Sequence, residues 1–248
     1  MITQQDDHSR QVSGLFRRIA PWYDFLNHLL SLGWDIVWRK QLVRCVRMHR
    51  TTRLLDLAAG TLDVSLEVVR QHPCCCVLAL DFSLPMLAHG QKKIRATKQA
   101  SIVPVVADGR ALPLPDHCVD CATIAFGIRN ILPRHDAYRE VLRVLTPGGR
   151  FCILEFGAGR RKILRGMYNV YLSRILPWIG RIFSGDPRAY RYLAKTIKAF
   201  PDARALSREL LAAGFSRVYS FPLTAGIVQI HVAEKGRIPA QKNSLTPT

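Results

Sequence analysis

The sequence predicts an α/β domain in which helices cover both faces of a mostly parallel β-sheet. Apolar runs of strand length alternate along the chain with segments whose apolar residues have helical spacing. Such alternation is typical of parallel sheets, because a crossover segment must return the chain before the next parallel strand begins. The pattern therefore favours a Rossmann-like fold with a mixed, mostly parallel sheet of seven strands.

Each element of this fold is predicted from its own local pattern. The predicted strands are 53–58, 76–81, 102–107, 119–126, 150–156, 217–221 and 226–233. The predicted helices are 63–71, 83–98, 134–145 and 202–213, the last with Asp202 near its start. The TPGG segment at 146–149 is expected to end a helix and to turn into the next strand.

A chain of 248 residues is long enough to bury a full core. We expect one domain over 13–235, with flexible ends at 1–12 and 236–248. Two helical additions fall outside the strand–helix alternation, an N-terminal lid at 14–48 and an insertion at 157–200. Every run of 18 residues that is otherwise apolar contains a charge, and the N-terminus lacks a hydrophobic signal core. Neither a membrane-spanning nor a secreted protein is expected.

The charge balance predicts an anionic partner. Thirty-six Lys and Arg residues against 18 Asp and Glu give a net charge of +18, which suits nucleic acid, an anionic lipid surface or an acidic substrate. The 157–200 insertion has ten Lys and Arg residues against Asp186 alone, which is a net +9. Apolar residues recur at helical spacing between Leu164 and Ile182. This helix either merely covers the fold or touches anionic lipid, and among the three partners the pattern favours a membrane surface.

The seven cysteines are interpreted as reduced thiols. Their number is odd, three of them are consecutive at 74–76, and no secretion signal precedes them. Cys118 and Cys121 form a single CxxC without a second ligand pair at zinc spacing. Buried structural thiols are therefore predicted rather than a metal site.

Acidic residues follow successive predicted strands. The first strand runs into LLDLAAGTLD at 54–63, a turn of small residues before a helix, where α/β sheets bind nucleotides because the backbone can approach the ligand. Asp81 ends the second strand 21 residues after Gly60, where a carboxylate can accept both ribose hydroxyls. Asp108 and Gly109 follow the third strand, where an acid can face an adenine amino group. The constellation predicts a cofactor that contains adenosine.

S-adenosyl-L-methionine is the adenosine-containing cofactor that the sequence favours. A dinucleotide fingerprint needs three glycines, and of these Gly60 alone is present. S-adenosylmethionine has no pyrophosphate, and it needs an acid for its ammonium group. Asp56 and Asp63 are available for that role or for packing against the first strand.

Over residues 12–235 the chain resembles the ubiquinone/menaquinone biosynthesis C-methyltransferase family. The matching stretches are FRRIAPWYDFLNHLLSLGWDIVWRK, LLDLAAGTLD, ALDFSLPML, ALPLPD, TIAFGIRN, RVLTPGGRFCILEF, YRYLAKTIKAFPD and TAGIVQIH. The resemblance implies a class I methyltransferase that uses S-adenosylmethionine to methylate a ring carbon of a polyprenyl quinol, with demethylmenaquinol as the favoured acceptor. A sibling enzyme acting at another ring position stays open. So does a non-catalytic subunit that docks at the membrane or in a quinone-biosynthesis complex.

The chain departs from this family near the predicted cofactor. Ala59 and Leu62 stand where the family has glycines, Ala125 where it usually has Ser, and Gly109 where Ala is common. We expect Leu62 to place a bulky side chain near the cofactor and to narrow the site. The full predicted cofactor set is Asp56, Gly60, Thr61, Asp63, Asp81, Phe82, Asp108, Gly109 and Ala125.

The implied chemistry needs a group that acts on a ring hydroxyl. A phenol has a pKa of about 10, so at neutral pH its charge must be stabilised or its proton removed. Arg129 and Asn130 follow the fourth strand; Arg129 is always protonated and is expected to stabilise a quinolate, to orient a water or merely to anchor its loop. His231 and Asp24 are candidate bases, although a single strand histidine is more often packed.

The remaining predicted residues concern the acceptor. Tyr23, Asp24 and Asn27 are expected to form a lid over cofactor and substrate. Tyr190, Arg191 and Tyr192 are expected to line a quinol channel, although core packing is an equal alternative for the tyrosines.

The expected partners are a polyprenyl quinol and an anionic membrane surface. FGIRN stands where amino-methylating nucleic-acid enzymes have an Asn/Asp-Pro-Pro-aromatic turn, so no nucleic acid partner is expected. The predicted location is the cytoplasm, in peripheral association with the inner face of the cell membrane. A homo-oligomer or a quinone-biosynthesis complex stays open.

Overall fold

Seven strands form one sheet whose first five members along the chain are parallel. The computed structural model describes residue 14 and residues 23–46, 52–157 and 187–237. In this part the strands are β1 (Arg53–Leu57), β2 (Cys76–Asp81), β3 (Ile102–Val106), β4 (Val119–Ala125), β5 (Leu145–Phe156), β6 (Arg217–Leu223) and β7 (Val228–Glu234). Their order is β3-β2-β1-β4-β5-β7-β6. Only the pairings that β7 makes with β5 and β6 are antiparallel, so the predicted mixed, mostly parallel sheet is confirmed.

Two of the described helices precede the first strand and the others lie between strands, as predicted. They are α1 (Tyr23–Leu30), α2 (Trp34–Cys45), α3 (Asp63–Gln71), α4 (Leu84–Thr97), α5 (Arg134–Val144), α6 (Pro187–Ala199) and α7 (Ala203–Ala212). The α7 helix begins where it does because the Asp202 carboxylate accepts a hydrogen bond from the Ala205 N–H at 2.8 Å. Short 3₁₀ turns lie at Ile128–Asn130 and Thr224–Gly226.

The core lies in two layers, one on each face of the sheet. Successive strand residues point to opposite faces, so Leu54 packs into one layer and Leu55 into the other. The first layer includes residues of α2, α3 and α4, among them Leu42, Val68 and Leu87. The second includes residues of α5 and α7, such as Tyr138 and Leu210. The central strands are thereby buried on both sides, as a parallel sheet requires.

The strand order reverses between β1 and β4. From β1 the chain first builds outward through β2 and β3, and then returns to add β4 on the other side of β1. In such sheets the crevice at the carboxyl ends of the strands on either side of the reversal is the usual place for a ligand. Four residues just beyond β1 and β4 have positive φ: Ala58 at 51°, Gly60 at 56°, Leu62 at 68° and Phe126 at 54°. The chain therefore makes tight turns at this edge.

The predicted end of a helix at TPGG is confirmed, since α5 ends at Val144, but the prediction that TPGG turns before the next strand is wrong. The segment lies within β5, which begins at Leu145 beside Val119 of β4. An irregularity in register follows, and pairing resumes with Arg150 opposite Cys121. Gly148 has φ 82°, and a β-carbon on Gly149 would lie 2.8 Å from the Thr146 carbonyl oxygen. The two glycines let the strand continue through a bulge rather than leave the sheet.

The helical additions are described only in part. The predicted lid at 14–48 contains α1 and α2, and α6 forms the end of the predicted insertion at 157–200. Residues 158–186, including the predicted helix from Leu164 to Ile182, lie outside the described residues, as do 1–12 and 238–248. Within the described ranges no helix is both long enough and apolar enough to cross a membrane.

Candidate active site

Two adjoining cavities lie at the carboxyl edge of the sheet. The larger cavity contains about 820 Å³ of space, including its open mouth, and the smaller about 370 Å³. Both are lined by the turn after β1, the turn after β4 and a side chain of α1. The five residues common to both linings are Tyr23, Ala58, Gly60, Ala125 and Phe126. The larger cavity is lined mostly by apolar groups with a few polar ones, as small-molecule sites are.

The larger cavity collects the ends of four strands. Six residues of the predicted cofactor set line it: Gly60, Asp81, Phe82, Asp108, Gly109 and Ala125. The Asp81 carboxylate is held by two backbone groups, because the Gly60 N–H donates to Oδ2 at 2.8 Å and the Ser83 N–H to Oδ1 at 2.7 Å. Burial raises the pKa of Asp81 and these two bonds lower it. Each oxygen keeps lone-pair capacity for a further donor.

Asp108 is held by a neighbouring cation. Arg110 binds its carboxylate through Nε and Nη2, the latter 2.6 Å from Oδ2, and Nη1 of the same side chain donates to the Leu132 carbonyl at 2.8 Å. Hydrogen bonds and charge from Arg110 hold the pKa of Asp108 below its usual value although burial opposes them. The arginine thus ties the end of β3 to the loop after β4, and it fixes the carboxylate at the cavity wall.

The smaller cavity contains two carboxylates with different surroundings. Asp56 is buried and accepts bonds from Ser65 Oγ at 2.6 Å and Thr123 Oγ1 at 3.0 Å. Burial raises the pKa of Asp56 to about 6. Asp63 is ion-paired through Oδ1 to Lys93 Nζ at 2.6 Å, and its Oδ2 lies 3.2 Å from Arg39 Nη1. The geometry of that second contact is too poor for a hydrogen bond, so the buried Oδ2 accepts none.

These features fit S-adenosylmethionine, which has two ribose hydroxyls at one end and an ammonium group at the other. Asp81 offers acceptors in the larger cavity and Asp63 Oδ2 a buried unsatisfied acceptor in the smaller. Gly60, with φ 56°, stands where both cavities meet, and a β-carbon there would contact only the Met86 methyl at 3.6 Å. The backbone is therefore open to a ligand along the turn. All nine predicted cofactor residues line one cavity or both, with Asp56, Thr61 and Asp63 lining the smaller.

The expectation that Leu62 narrows the site is wrong. Its φ of 68° is that of a glycine position, yet its side chain is fully buried in the first core layer and lines neither described cavity. Ala59 has no positive φ, so it is not strained. Ala125 lines both cavities. The substitutions nearest the nucleotide turn therefore leave the ligand space open.

Arg129 lines neither described cavity, although Phe126 and Asn130 beside it do. Its Nη1 donates to the Phe126 carbonyl and, at 2.7 Å, to Oε1 of Glu155 at the end of β5. Arg129 and Glu155 are 8% and 1% exposed. The guanidinium also lies 5.5 Å from the centre of the Phe156 ring. Asn130 is part of the larger cavity wall.

Asp24, predicted as a base, is held by other groups. Its Oδ1 accepts from Thr61 Oγ1 at 2.5 Å and its Oδ2 lies 2.5 Å from Lys93 Nζ. Because Lys93 also binds Asp63, it ties α1 to the start of α3. Asp24 lines neither described cavity. The geometry supports its lid role rather than proton transfer.

His231, also predicted as a base, lies on β7 within the sheet. It is 1% exposed, its Nε2 is 3.1 Å from the Ala203 carbonyl, and it lines neither described cavity. Burial lowers the pKa of this imidazole. This contact joins β7 to the start of α7. The geometry therefore favours a packed histidine over a base.

Among the predicted lid and channel residues, Tyr23 and Tyr192 reach the site. Tyr23 lines both cavities and its hydroxyl is hydrogen-bonded with the side chain of Asn27. Tyr192 on α6 donates to Asn130 Oδ1 at 3.3 Å, so it reaches the cavity wall. Tyr190 and Arg191 belong to the same helix, but their side chains lie outside what is described.

Sequence reasoning missed several residues that shape this site. Lys93 lies within a helical period and carries no motif, and Arg39 belongs to a stretch that matches the family, GWDIVWRK, but was given no role. Glu155 belongs to a quoted stretch, CILEF, but its strand pattern reads simply as core. A buried carboxylate at the end of a strand, beside the arginine of FGIRN, is the signal that points to it.

Comparison with known proteins agrees with this site. Residues 3–235 match the model of the ubiE/COQ5 methyltransferase family. The chain is 40% identical over 232 residues to the ubiquinone/menaquinone biosynthesis C-methyltransferase UbiE of Geobacter sulfurreducens, covering 93% of this chain and 90% of that protein. It is 42% identical over 221 residues to the demethylmenaquinone methyltransferase of Thermus thermophilus, covering 89% of this chain and all of that protein.

Solved structures share the fold at low sequence identity. An S-adenosylmethionine-dependent methyltransferase from Aquifex aeolicus aligns with a TM-score of 0.59 at 15% identity, covering 79% of this chain and 88% of that one. The cyclase SpnF aligns with a TM-score of 0.68 at 17% identity, covering 93% and 97%. The fold is thus shared with a cyclase, whereas the match over 3–235 is specific. The chain belongs to the ubiE/COQ5 methyltransferase family and is an S-adenosylmethionine-dependent methyltransferase.

Proposed function

We propose that the protein transfers a methyl group from S-adenosylmethionine to a ring carbon of a polyprenyl quinol, with demethylmenaquinol as the acceptor and menaquinol as the product. The family and the name of the Thermus relative support this acceptor. The observation that carries the proposal is the pair of joined cavities, in which Asp81 and Asp63 offer acceptors to the two ends of the cofactor.

The cofactor supplies, when bound, a methyl group activated by its positively charged sulfur. The protein must therefore hold the quinol ring in line with that group and favour the ionised form of a ring hydroxyl, which donates electron density to the neighbouring carbon. A carbon–carbon bond forms at the ring, and the methyl–sulfur bond breaks with its electron pair staying on sulfur. The ring carbon then loses its proton and the quinol oxygen regains one, so that one proton in all leaves to water.

Arg129 is the residue we assign to the charge on the quinol oxygen. Burial raises the pKa of Tyr23 on α1 and of Tyr192 on α6, and the positive charge of Arg129 opposes this rise in both. The guanidinium thus acts on phenol hydroxyls that approach from two different helices. A quinol hydroxyl in the same space would experience the same field, so Arg129 would offset part of the cost of ionising it there.

Tyr23 and Asn130 shape the space in which the ring would lie. Tyr23 is half-buried on α1 and lines both cavities, so it would shield part of a bound ligand from water. Asn130 lines the larger cavity and accepts from Tyr192, which connects the cofactor side to α6. Tyr190 and Arg191 remain candidates for the channel beyond.

The alternative of a non-catalytic subunit is motivated by Ala59, Leu62 and Ala125. The buried position of Leu62 removes the strongest reason for it. A sibling activity at another ring position would use the same residues. It would differ in the orientation of the quinol ring relative to the methyl group.

We also propose that the enzyme works at the cytoplasmic, inner face of the cell membrane without crossing it, and that it needs no nucleic acid. The support is the charge of the 157–200 insertion, of which the described part carries exposed Lys195 and Lys198 on α6. Binding to anionic vesicles at low salt that weakens as salt rises is expected; failure to sediment with them would refute this. Whether the enzyme forms a homo-oligomer or joins a quinone-biosynthesis complex is read from the same preparation by light scattering.

The function is tested with the purified full chain and a methyl-labelled cofactor. Demethylmenaquinol and demethyl benzoquinol precursors are offered separately, and the products are identified by mass. Label in menaquinol is expected. Label only in the benzoquinol would identify the sibling activity, and cofactor binding without label in either would favour the non-catalytic subunit.

A further inference from the structure

Glu155 is a buried acid for which the proposed reaction has so far given no role. It ends β5, the strand next to β4, and its side chain is 1% exposed. Its Oε1 accepts from Arg129 Nη1 at 2.7 Å and from the Phe156 N–H at 3.0 Å. A carboxylate so deeply buried is costly unless it is paired. Its position beside the arginine of the site therefore needs a reason.

The contact controls which edge of the guanidinium is available. Nη1 of Arg129 is engaged twice, by Glu155 and by the Phe126 carbonyl. Among the described residues Nη2 makes no hydrogen bond, and Nε is buried without a partner. A planar guanidinium pinned by one nitrogen and resting over the Phe156 ring has little rotational freedom. The opposite edge is thereby left without an acceptor among the described residues.

The same contact shapes the cavity wall. Phe126 has φ 54° and lines both cavities, and Asn130, four residues later, lines the larger one. Arg129 Nη1 donates both to the Phe126 carbonyl and to Glu155. It therefore connects this strained turn to the end of β5. The titratable groups on which the charge of Arg129 acts are Glu155 itself, Tyr23 on α1 and Tyr192 on α6.

We propose that Glu155 is the positioning residue for methyl transfer, and that its carboxylate fixes Arg129 by Nη1 so that the other edge of the guanidinium binds the ionised quinol oxygen. This deepens the proposed function and rests on it. The negative charge of Glu155 also partly cancels that of Arg129, so the pair sets how strongly the quinol oxygen is stabilised. Both effects follow from one contact.

A similar pair elsewhere in the chain provides a matched control. Arg134 binds Glu209 through Nη2 at 2.7 Å and lies 5.6 Å from the centre of the Phe200 ring. It is likewise an arginine–glutamate pair beside an aromatic ring, although it is more exposed than the pair at the site. Arg134 and Glu209 join α5 to α7, whereas Arg129 also binds the carbonyl of Phe126, which lines both cavities. Glu155→Gln and Glu209→Gln therefore remove the same kind of contact, one beside the cavities and one between two helices.

Both variants are measured with full-length protein for melting temperature, S-adenosylmethionine Kd by calorimetry, and kcat against pH with demethylmenaquinol. For Glu155→Gln we expect kcat to fall about ten-fold or more while Kd changes less than about three-fold. The pH at which kcat rises with quinol ionisation should move lower, because Arg129 loses its neutralising partner. Glu209→Gln should lower the melting temperature and leave kcat and its pH dependence unchanged.

An unchanged kcat or an unchanged pH midpoint in Glu155→Gln would overturn the proposal. So would a loss of kcat matched by an equal loss of cofactor affinity, which indicates a structural role. If that variant does not fold, Arg129→Met with Glu155→Met replaces the pair by apolar groups. We expect this double variant to fold stably but to lack activity. A kcat close to that of the wild type would contradict the proposal. Failure of the wild-type enzyme to methylate any quinol would instead reject the proposed function, before a variant is made.

Discussion

The side chain of Leu62 occupies the space that Gly90 leaves open. A β-carbon on Gly90 would lie 2.3 Å from Leu62 Cγ, which is closer than any real contact. Helix α4 can thus pack against the start of α3 only because residue 90 has no side chain. The leucine at a glycine-like φ is accommodated by the core behind the nucleotide turn.

This packing predicts a separation of stability from binding. Leu62→Ala should lower the free energy of unfolding by about 2–5 kcal/mol, as buried leucines do, because the side chain is fully buried. The Kd for S-adenosylmethionine should change less than about three-fold, since Leu62 lines neither described cavity. Urea denaturation and calorimetry measure the two quantities. A large loss of affinity at unchanged stability would place the leucine at the ligand after all.

Asp81 should control cofactor affinity. Asp81→Ala removes a carboxylate that two backbone N–H groups hold at the cavity wall, and we expect affinity for S-adenosylmethionine to fall roughly 10- to 100-fold, as for a lost charged hydrogen bond. Asp116→Ala is the control, because that carboxylate is exposed and paired with Arg143. Calorimetry measures the affinity of both variants for S-adenosylmethionine. Equal affinities of the two variants would mean that the ribose does not bind at Asp81.

Asp56 should make stability fall as the pH rises. In the folded protein burial raises its pKa to about 6, whereas the unfolded value is about 3.9. Between these values the folded state binds a proton that the unfolded state has released, so stability is lost as pH increases from 4 to 6. A shift of two units corresponds to about 3 kcal/mol.

Asp56→Asn removes this titration. Relative to wild type, the variant should gain roughly 2–3 kcal/mol in unfolding free energy when both are moved from pH 4 to pH 7. Urea denaturation of the ligand-free proteins at the two pH values measures the difference. Parallel pH dependence of the two proteins would show that Asp56 is not protonated in the fold.

Lys93 should hold the lid helix over the smaller cavity. Its Nζ lies between Asp24 of α1 and Asp63 of α3, so Lys93→Met should increase hydrogen exchange in residues 23–30. It should also weaken S-adenosylmethionine binding about three- to ten-fold. Lys92→Met, at an exposed neighbouring position, is the control. If both variants exchange alike, the bridge does not hold the helix.

His231 should affect stability rather than catalysis. Its imidazole contacts the Ala203 carbonyl behind the sheet, so His231→Asn should lower the melting temperature and leave kcat within about three-fold of wild type. A loss of kcat on the order of 100-fold with an unchanged melting temperature would restore the histidine as a base.

Local patterns in the sequence were sufficient for most of the fold. The predicted bounds 76–81 and 63–71 coincide with β2 and α3, because apolar runs and helical periods are read from neighbouring residues. TPGG was misread as a turn for the same reason. A turn signal and a bulge use the same residues, and only the pairing of β5 with β4 distinguishes them.

The cofactor site could be predicted because its residues end strands. Parallel strands bring their carboxyl ends to one edge, so Asp81 and Asp108 could be assigned to one cavity from their positions in the chain. The candidate bases could not be resolved in this way. Residues such as Asp24 and His231 contact partners that are far away in sequence. No local pattern shows whether such a side chain binds another residue or is free to bind a ligand.

The sequence by itself therefore determined the sheet, the helices that cover it and the edge where a cofactor binds, because these follow from periodicity and strand order. Only the tertiary structure decided which side chains are buried, which are ion-paired and which can contact a ligand. It buried Leu62 against Gly90, tied Asp24 to Lys93 and paired Arg129 with Glu155. Packing volume and ion pairing depend on residues that meet in space from distant parts of the chain, and a linear pattern does not contain them.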